Sequence, residues 1–396
     1  MSKSSAWIAI ENQYYAQTVR RQPVVIVQGQ GSRVWDADGK EYLDFVGGWA
    51  VNMLGHCHPV ITQALTEQAA TLLQTSNQFY TIPQLLLAQL LVEHSCLDRV
   101  FFGNSGAEAN EGAIKLARKY GKKHRDGAYE IITAFHSFHG RTMTTLAATG
   151  QPHYQEAFLP LSPGFVHVAY NDVAALEHAT TDNTVAVMLE PIQGEGGVNI
   201  PDDDYLQRVR AWCDQRKILL ILDEIQTGMG RLGSLFGYQE YGIEPDVMTL
   251  AKGLGCGVPI GAFLSKEFCM ALEPGDHGST FGGNALTTAV AHAGSKYLID
   301  HNIPAHAKRM GQHLLARLQE LKARFSFIVD VRGKGLLTAM EFDSDISHQV
   351  LAHANEAGVL LNGVKPNALR FMPPLTITAE EIDEGTGRLE QALKRI

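Results

Sequence analysis

The sequence contains no run of the ~18–20 apolar residues that a membrane-spanning helix requires, so no such span is expected. Basic residues are in deficit, 33 Lys and Arg against 42 Asp and Glu, which leaves a net charge of −9. That balance argues against a nucleic-acid or polyanion binder, whose affinity needs a basic face. No fixed-period repeat or low-complexity tract is present, and 45% hydrophobic with 19% charged residues excludes disordered, collagenous and coiled-coil classes. The N-terminus lacks a long apolar stretch with a small-residue cleavage site, so no secretory leader is expected. Cysteine is sparse: Cys57, Cys96, Cys213, Cys256 and Cys269 are odd in number, scattered and form no CxxC pair. A reducing, cytoplasmic setting fits this usage best. Metal-ligand spacing is also missing. His56, His58 and His136 lie in separate segments without a suitably spaced carboxylate, so no metal site is expected.

What is present is a long alternation. Short apolar, β-branched-rich runs recur at Val100–Phe102, Ile131–Phe135, Phe165–Val168, Val185–Leu189, Ile218–Leu222, Val247–Leu250 and Ile260–Leu264. Each is nearly continuous and bounded by turn residues, as a strand buried on both faces should be. Between them, Ala109, Ala113, Leu116, Ala117 and Tyr120 step along one helical face of Ala107–Tyr120. Tyr205–Gln215 reads as a second helix, and 38 glycines mark many tight turns. The pattern predicts an α/β fold with a large three-layer domain and a mostly parallel central sheet over residues 55–283.

The flanks read as α+β. Strand-like pieces fall at Pro23–Val27, Arg33–Trp35 and Tyr42–Phe45. After Gly283 come helical stretches at Ala285–Ile299 and Pro304–Phe325, strands at Ser326–Val331, Leu336–Phe342 and Ala368–Phe371, and a last helix at Ala379–Ile396. Residues 1–54 and 284–396 are expected to build one smaller domain from both chain ends.

Two familiar motifs fail on context. Gly228-Met229-Gly230-Arg231-Leu232-Gly233 fits GxGxxG, but the following Ser234–Tyr241 has no helical face, which disfavours a NAD-dependent oxidoreductase. The Asp223-Glu224 strand end resembles a nucleotidase acid, yet Gly39-Lys40, Gly121-Lys122 and Gly333-Lys334 lack the Ser or Thr of a phosphate loop.

A sharper pattern spans three strand ends. Gly103-Asn104-Ser105-Gly106-Ala107 joins a strand to a helix start, where free N–H groups make either an anion cradle or an ordinary N-cap. Asp223 ends a buried strand, with Gln226 three residues on; alone it reads equally as a loop cap. Lys252 follows the strand Val247–Leu250; an apolar pocket would lower its pKa, although a lone lysine is more often a surface residue. A phosphate cradle, a buried acid and an amine nucleophile together suit pyridoxal phosphate, and Phe138 or His139 could stack on its ring.

The ordered blocks extend this. Gly55-His56-Cys57-His58-Pro59, Asn104–Asn110, Phe138-His139-Gly140-Arg141-Thr142, Glu190–Gly197, Leu222–Gly228, Ala251-Lys252-Gly253, Ser279–Asn284 and Arg370-Phe371 resemble the class III, ornithine/acetylornithine-type aminotransferases of fold type I over residues 20–395. The resemblance implies a pyridoxal 5′-phosphate enzyme that moves the terminal amine of an ω-amino acid to 2-oxoglutarate. Under it, Lys252 is the Schiff-base lysine and proton shuttle, Asp223 the pyridinium partner, Gln226 the contact to the phenolic oxygen and Phe138 the stacking ring. Ser105, Gly106 and Ala107 would cradle the phosphate, completed by Thr280 from a second copy, which implies a homodimer with shared sites. Arg370 and Arg141 would hold the two carboxylates of 2-oxoglutarate, and Glu195 would pair Arg370 while the ω-amino donor reacts.

Ser76–Tyr80 and Gly47-Gly48-Trp49-Ala50-Val51 look most like the acetylornithine enzymes. Trp49 stands where a small aliphatic residue is expected and would narrow the substrate tunnel. Val19-Arg20-Arg21 lacks the tyrosine of ornithine δ-aminotransferases; Arg20 or Arg21 would meet a distal carboxylate or simply lie at the surface. Ornithine, succinylornithine or 4-aminobutyrate are the alternative donors.

Overall fold

The computed structural model describes residues 3–396. Near the N-terminus β1 (Ile26–Gln30), β2 (Arg33–Asp36) and β3 (Glu41–Asp44) form an antiparallel meander. Seven strands follow: β4 (Arg99–Gly103), β5 (Glu130–Ala134), β6 (Phe165–Val168), β7 (Thr184–Leu189), β8 (Leu219–Asp223), β9 (Val247–Leu250) and β10 (Gly261–Ser265). The C-terminal part adds β11 (Ile328–Lys334), β12 (Leu337–Phe342), β13 (Val359–Leu360), β14 (Asn362–Lys365) and β15 (Ala368–Phe371).

The central sheet has the order β4-β10-β9-β8-β7-β5-β6, and only β10 runs against its neighbours. The seven expected strands are all there, shifted by a residue or so at their ends. Every residue of β7, β8, β9 and β10 is buried. At roughly 1.5–3 kcal/mol for each large apolar side chain, this sheet contributes heavily to stability. The helix Gly106–His124 lays Ala113, Leu116 and Ala117 on Ile131, Ile221 and Phe263.

One strand pairing links the two chain ends. β13 pairs parallel with β3, Val359 opposite Leu43, which closes the order β1-β2-β3-β13. A second C-terminal sheet runs β11-β12-β15-β14. Three expectations need correction. The first strand starts at Ile26, not Pro23; Pro23 has no N–H to give a ladder, and a turn from Val24 N to Gln22 O occupies this stretch. The last helix stops at Leu393. Helices Lys3–Tyr14, Pro59–Thr71, Ile82–Glu93 and Ser347–Ala357 went unread. Ile82–Glu93 is apolar nearly all round, so it presents no helical period.

Candidate active site

The carboxyl ends of the parallel strands open on a cavity of about 460 Å³, where ligands of open α/β sheets sit. Its wall includes Ser105, Gly106, Ala107, Phe138, Arg141, Glu195, Asp223, Gln226 and Lys252, nine of the twelve residues singled out from the sequence. Arg370 lies directly behind Glu195 and Gln226. Trp49 and Thr280 are not part of the wall in this chain; both are exposed, and Val51 takes the place next to Trp49's turn. Trp49 continues a left-handed run from Gly47 and Gly48 with φ 61°, a conformation unusual for a bulky residue. Arg21 pairs Glu11 at 2.8 Å, in the N-terminal segment away from this cavity.

At one end of the cavity stands the N-terminus of helix Gly106–His124. Ser105 Oγ accepts from Glu108 N at 3.2 Å, so the N-cap reading is correct as far as it goes. Gly106 and Ala107 line the cavity as the first residues of the helix, whose opening N–H groups have no partner within it, and the helix dipole favours an anion there. N-cap and cradle are therefore compatible uses of one turn.

At the other end, Asp223 is held by three donors. Its Oδ2 accepts from His139 Nδ1 at 2.7 Å and Asn110 Nδ2 at 2.8 Å, and its Oδ1 from Ile225 N at 3.1 Å. Asn110 also donates to His139 O at 2.7 Å, which fixes both donors relative to each other. Asn110 was not among the expected site residues, and His139 was expected only as an aromatic able to stack, not as a partner of Asp223. Asn110 sits on the buried face of its helix between Ala109 and Ala113, and a polar residue inside an apolar stripe was the available signal.

Lys252 begins a short 3-10 turn after β9 with φ 43°, a backbone conformation held only where surroundings over-determine it. Burial lowers its pKa, against the opposing pull of Glu195, which favours the nucleophilic amine over the ammonium. Glu190, also missed, follows the fully buried β7 as Asp223 ends β8. Its two oxygens accept from Phe138 N at 2.9 Å and Gly194 N at 3.1 Å, and burial pushes its pKa up.

The arginine cluster is built around an ion pair. Arg370 Nη1 lies 2.8 Å from Glu195 Oε1 and 3.0 Å from Gln226 Oε1, while Nε and Nη2 both donate to Asn362 Oδ1. Burial alone would raise the Glu195 pKa, but the Arg370 and Lys252 cations outweigh it and hold it at about 2. Arg141 has no such partner among the described residues; it rests 3.8 Å over the Tyr154 ring and 5.5 Å from that of Phe138.

The family profile of the class III aminotransferases matches residues 14–393. The chain belongs to this family. As a class III aminotransferase it uses pyridoxal phosphate, and the residues present fit that group: free helix-start amides for its phosphate, the Phe138 ring for its face, a thrice-held carboxylate and a lysine. The aminotransferase is 49% identical over 396 residues to the acetylornithine aminotransferase of Methanocaldococcus jannaschii, covering 98% of both chains. It is 51% identical to that of Gloeobacter violaceus, over 97% of this chain and 96% of the relative. Among solved structures it superposes on the ornithine aminotransferase of Toxoplasma gondii with TM-score 0.96 at 38% identity, covering all of this chain and 96% of that one. The acetylornithine aminotransferase of Elizabethkingia anophelis gives 0.90 at 34%, over the full length of both.

Proposed function

We propose that this aminotransferase moves the terminal amine of N2-acetylornithine to 2-oxoglutarate, yielding a semialdehyde and glutamate. The observation that carries the reading is the pair of Glu195, in the cavity wall, with the buried Arg370, in a chain nearly half identical to curated acetylornithine enzymes. Pyridoxal phosphate, when bound, supplies the electron sink that lets the amine-bearing carbon lose a proton. Ser105, Gly106 and Ala107 would hold its phosphate, with Thr280 of the partner subunit completing the cradle. Phe138 would pack on its ring, Asp223 would face the ring nitrogen and Gln226 the phenolic oxygen. Lys252 would anchor the group, and its Nζ would take the proton from the donor's amine-bearing carbon.

Glu195 and Arg370 serve two substrates of different charge. With the ω-amino donor in place, no carboxylate reaches Arg370, and Glu195 keeps the buried guanidinium neutralised. With 2-oxoglutarate, Glu195 turns away and Arg370 takes the α-carboxylate bidentately, while Arg141 takes the other.

A homodimer is supported by an uncovered apolar surface around Thr280. Leu73, Phe79, Tyr80, Leu85, Leu86 and Phe281 are exposed, and Asn77 Nδ2 ties this surface to Ser279 O and Gly282 O at 2.9 Å. No helix among the described residues is long and apolar enough to cross a membrane, and all five cysteines are free, in keeping with a reducing cytoplasmic compartment.

Titration of the loaded enzyme with N2-acetylornithine, ornithine and 4-aminobutyrate, followed by visible absorbance, tests the reading. A change at low concentration only with N2-acetylornithine is expected; a change only with another donor would overturn the donor assignment. Ornithine is the second reading because the Toxoplasma gondii ornithine enzyme shares this backbone so closely. A Lys252→Ala protein turning over at the parent rate would overturn the mechanism.

A further inference from the structure

Glu195 can exchange partners at Arg370 only if something keeps its backbone still while its side chain rotates. The turn that carries it is closed at its base by Gln193 and Asn199, whose N–H and C=O groups exchange bonds of 3.1 and 3.0 Å. Its interior allows no slack. A Cβ on Gly194 would fall 1.8 Å from Gln226 Oε1, and Gly197 holds φ +117° against Lys365. One wall of the turn is fixed by Glu190, which accepts from Gly194 N. The far wall is held from another sheet: Arg332 in β11 donates from Nη2 to Gly197 O at 2.6 Å and from Nε to Val198 O at 3.0 Å. Its Nη1 is held by Asp330 at 2.6 Å and Glu341 at 2.8 Å, so the fork cannot swing free.

The register of that sheet gives this contact its meaning. Arg332 pairs with Ala339 of β12, and Ala339 pairs with Arg370 of β15. Directly opposed residues share a face, so the two arginines stand in one row about 10 Å apart, two strand spacings, with a small residue between them. Arg370 grips the Glu195 side chain, and Arg332 grips the backbone two and three residues further on. We propose that Arg332 is a positioning residue for Glu195: it locks the turn to the strand row that carries Arg370, so partner exchange is a side-chain rotation on a fixed backbone. The inference rests on Glu195 acting as the gate.

The test is a double-mutant cycle on the loaded enzyme, comparing kcat/KM for N2-acetylornithine with kcat/KM for glutamate as donor. Arg332→Met should change the ratio of the two by about fivefold or more. Arg332→Lys, which keeps the charge beside Asp330 and Glu341 but cannot fork onto two carbonyls, should change it in the same direction by less. In a Glu195→Gln background the Arg332 substitutions should leave the ratio within about twofold. Equal loss for both donors in the Arg332 variants, or an undiminished ratio change beside Glu195→Gln, would overturn the proposal and leave Arg332 as a tie between sheets. A Glu195→Gln single variant with the parent's ratio would instead remove the gate reading itself. Should Arg332→Met not fold, the lysine variant alone completes the cycle.

Discussion

Two arginines among the described residues are wholly withdrawn from solvent, Arg370 and Arg231, both 0% exposed, and their surroundings differ in kind. Arg370 is met by side chains: the Glu195 carboxylate, Gln226 and Asn362. Arg231 is met by backbone alone, donating from Nη1 to Leu336 O at 3.0 Å and Pro373 O at 2.7 Å. Its Nε and Nη2 reach no acceptor among the described residues, and burial lowers its pKa to about 9. A partner on a side chain can leave for a substrate and return. A carbonyl in a fixed turn cannot. The same residue type therefore makes a site in one place and a strut in the other, and the mobility of the partner, more than the burial, separates them.

The largest effect should come from breaking the first. Arg370→Met removes the guanidinium proposed to take the α-carboxylate. Truncating one member of a buried charge pair costs about 2–5 kcal/mol, or roughly 30- to 4,000-fold. That loss should fall on kcat/KM for 2-oxoglutarate and much less on the half-reaction with the ω-amino donor. Because Glu195 reaches the cavity, its carboxylate can regain water, and the melting temperature should move little. Single-turnover kinetics of each half-reaction decide the matter; equal losses in both would erase the functional side of the comparison.

The two arginines were also unequally legible. Arg370 entered through a family resemblance, because nothing in the short strand Ala368–Phe371 by itself says which face its arginine meets. Arg231 stood in plain view inside a glycine motif whose nucleotide reading failed, and its burial depends on Leu336 and Pro373, more than a hundred residues away. The same division holds for the fold. The seven central strands were readable because strands buried on both faces are short, continuous and apolar. Helix Ile82–Glu93 was not, because a helix without a polar face loses its period. In the cavity, Asp223 and Lys252 could be singled out as strand-end charges. Glu190 carries the same signal and was passed over, and the His139 and Asn110 contacts to Asp223 exist only once three elements converge.

Next in size is the strut. Arg231→Met would leave the Leu336 and Pro373 carbonyls without a donor, at ~1–3 kcal/mol each. Removal of a cation that burial already disfavours offsets part of this, so a net loss near 3 kcal/mol is expected. Denaturant unfolding should register it, while the ratio of donor to acceptor kcat/KM per folded molecule stays at the parent value. A variant as stable as the parent, or one with a shifted ratio, would show that Arg231 and Arg370 are not the contrasting pair described here.

The smallest effect sharpens the contrast by asking it of an acid in the same segment. Glu224 is buried, accepts from Gly237 N and from Tyr238 N at 2.7 Å, and burial pushes its pKa up to about 7. Like Arg231 it is held by backbone. Glu195, held by cations, shifts the opposite way, to about 2. An acid raised in the folded state binds its proton more tightly folded than unfolded, so its stabilisation is complete below its unfolded pKa near 4.5 and is lost as pH rises through 7. Glu195 instead adds stability above 4.5 that disappears on acidification toward 2. Glu224→Gln should therefore flatten the fall in unfolding free energy between about pH 5.5 and 7.5 by ~1–2 kcal/mol. Its amide loses one of the two backbone contacts at every pH, so the level drops as well, and the slope is the informative readout. Glu190 carries a shift of the same sign and leaves some slope behind. Glu195→Gln should leave the slope in that interval untouched, since its proton is gone in both states there. An unchanged slope in Glu224→Gln would mean that its two N–H donors hold the carboxylate ionised in the fold, and a backbone setting would then serve a buried charge as well as a counter-ion does.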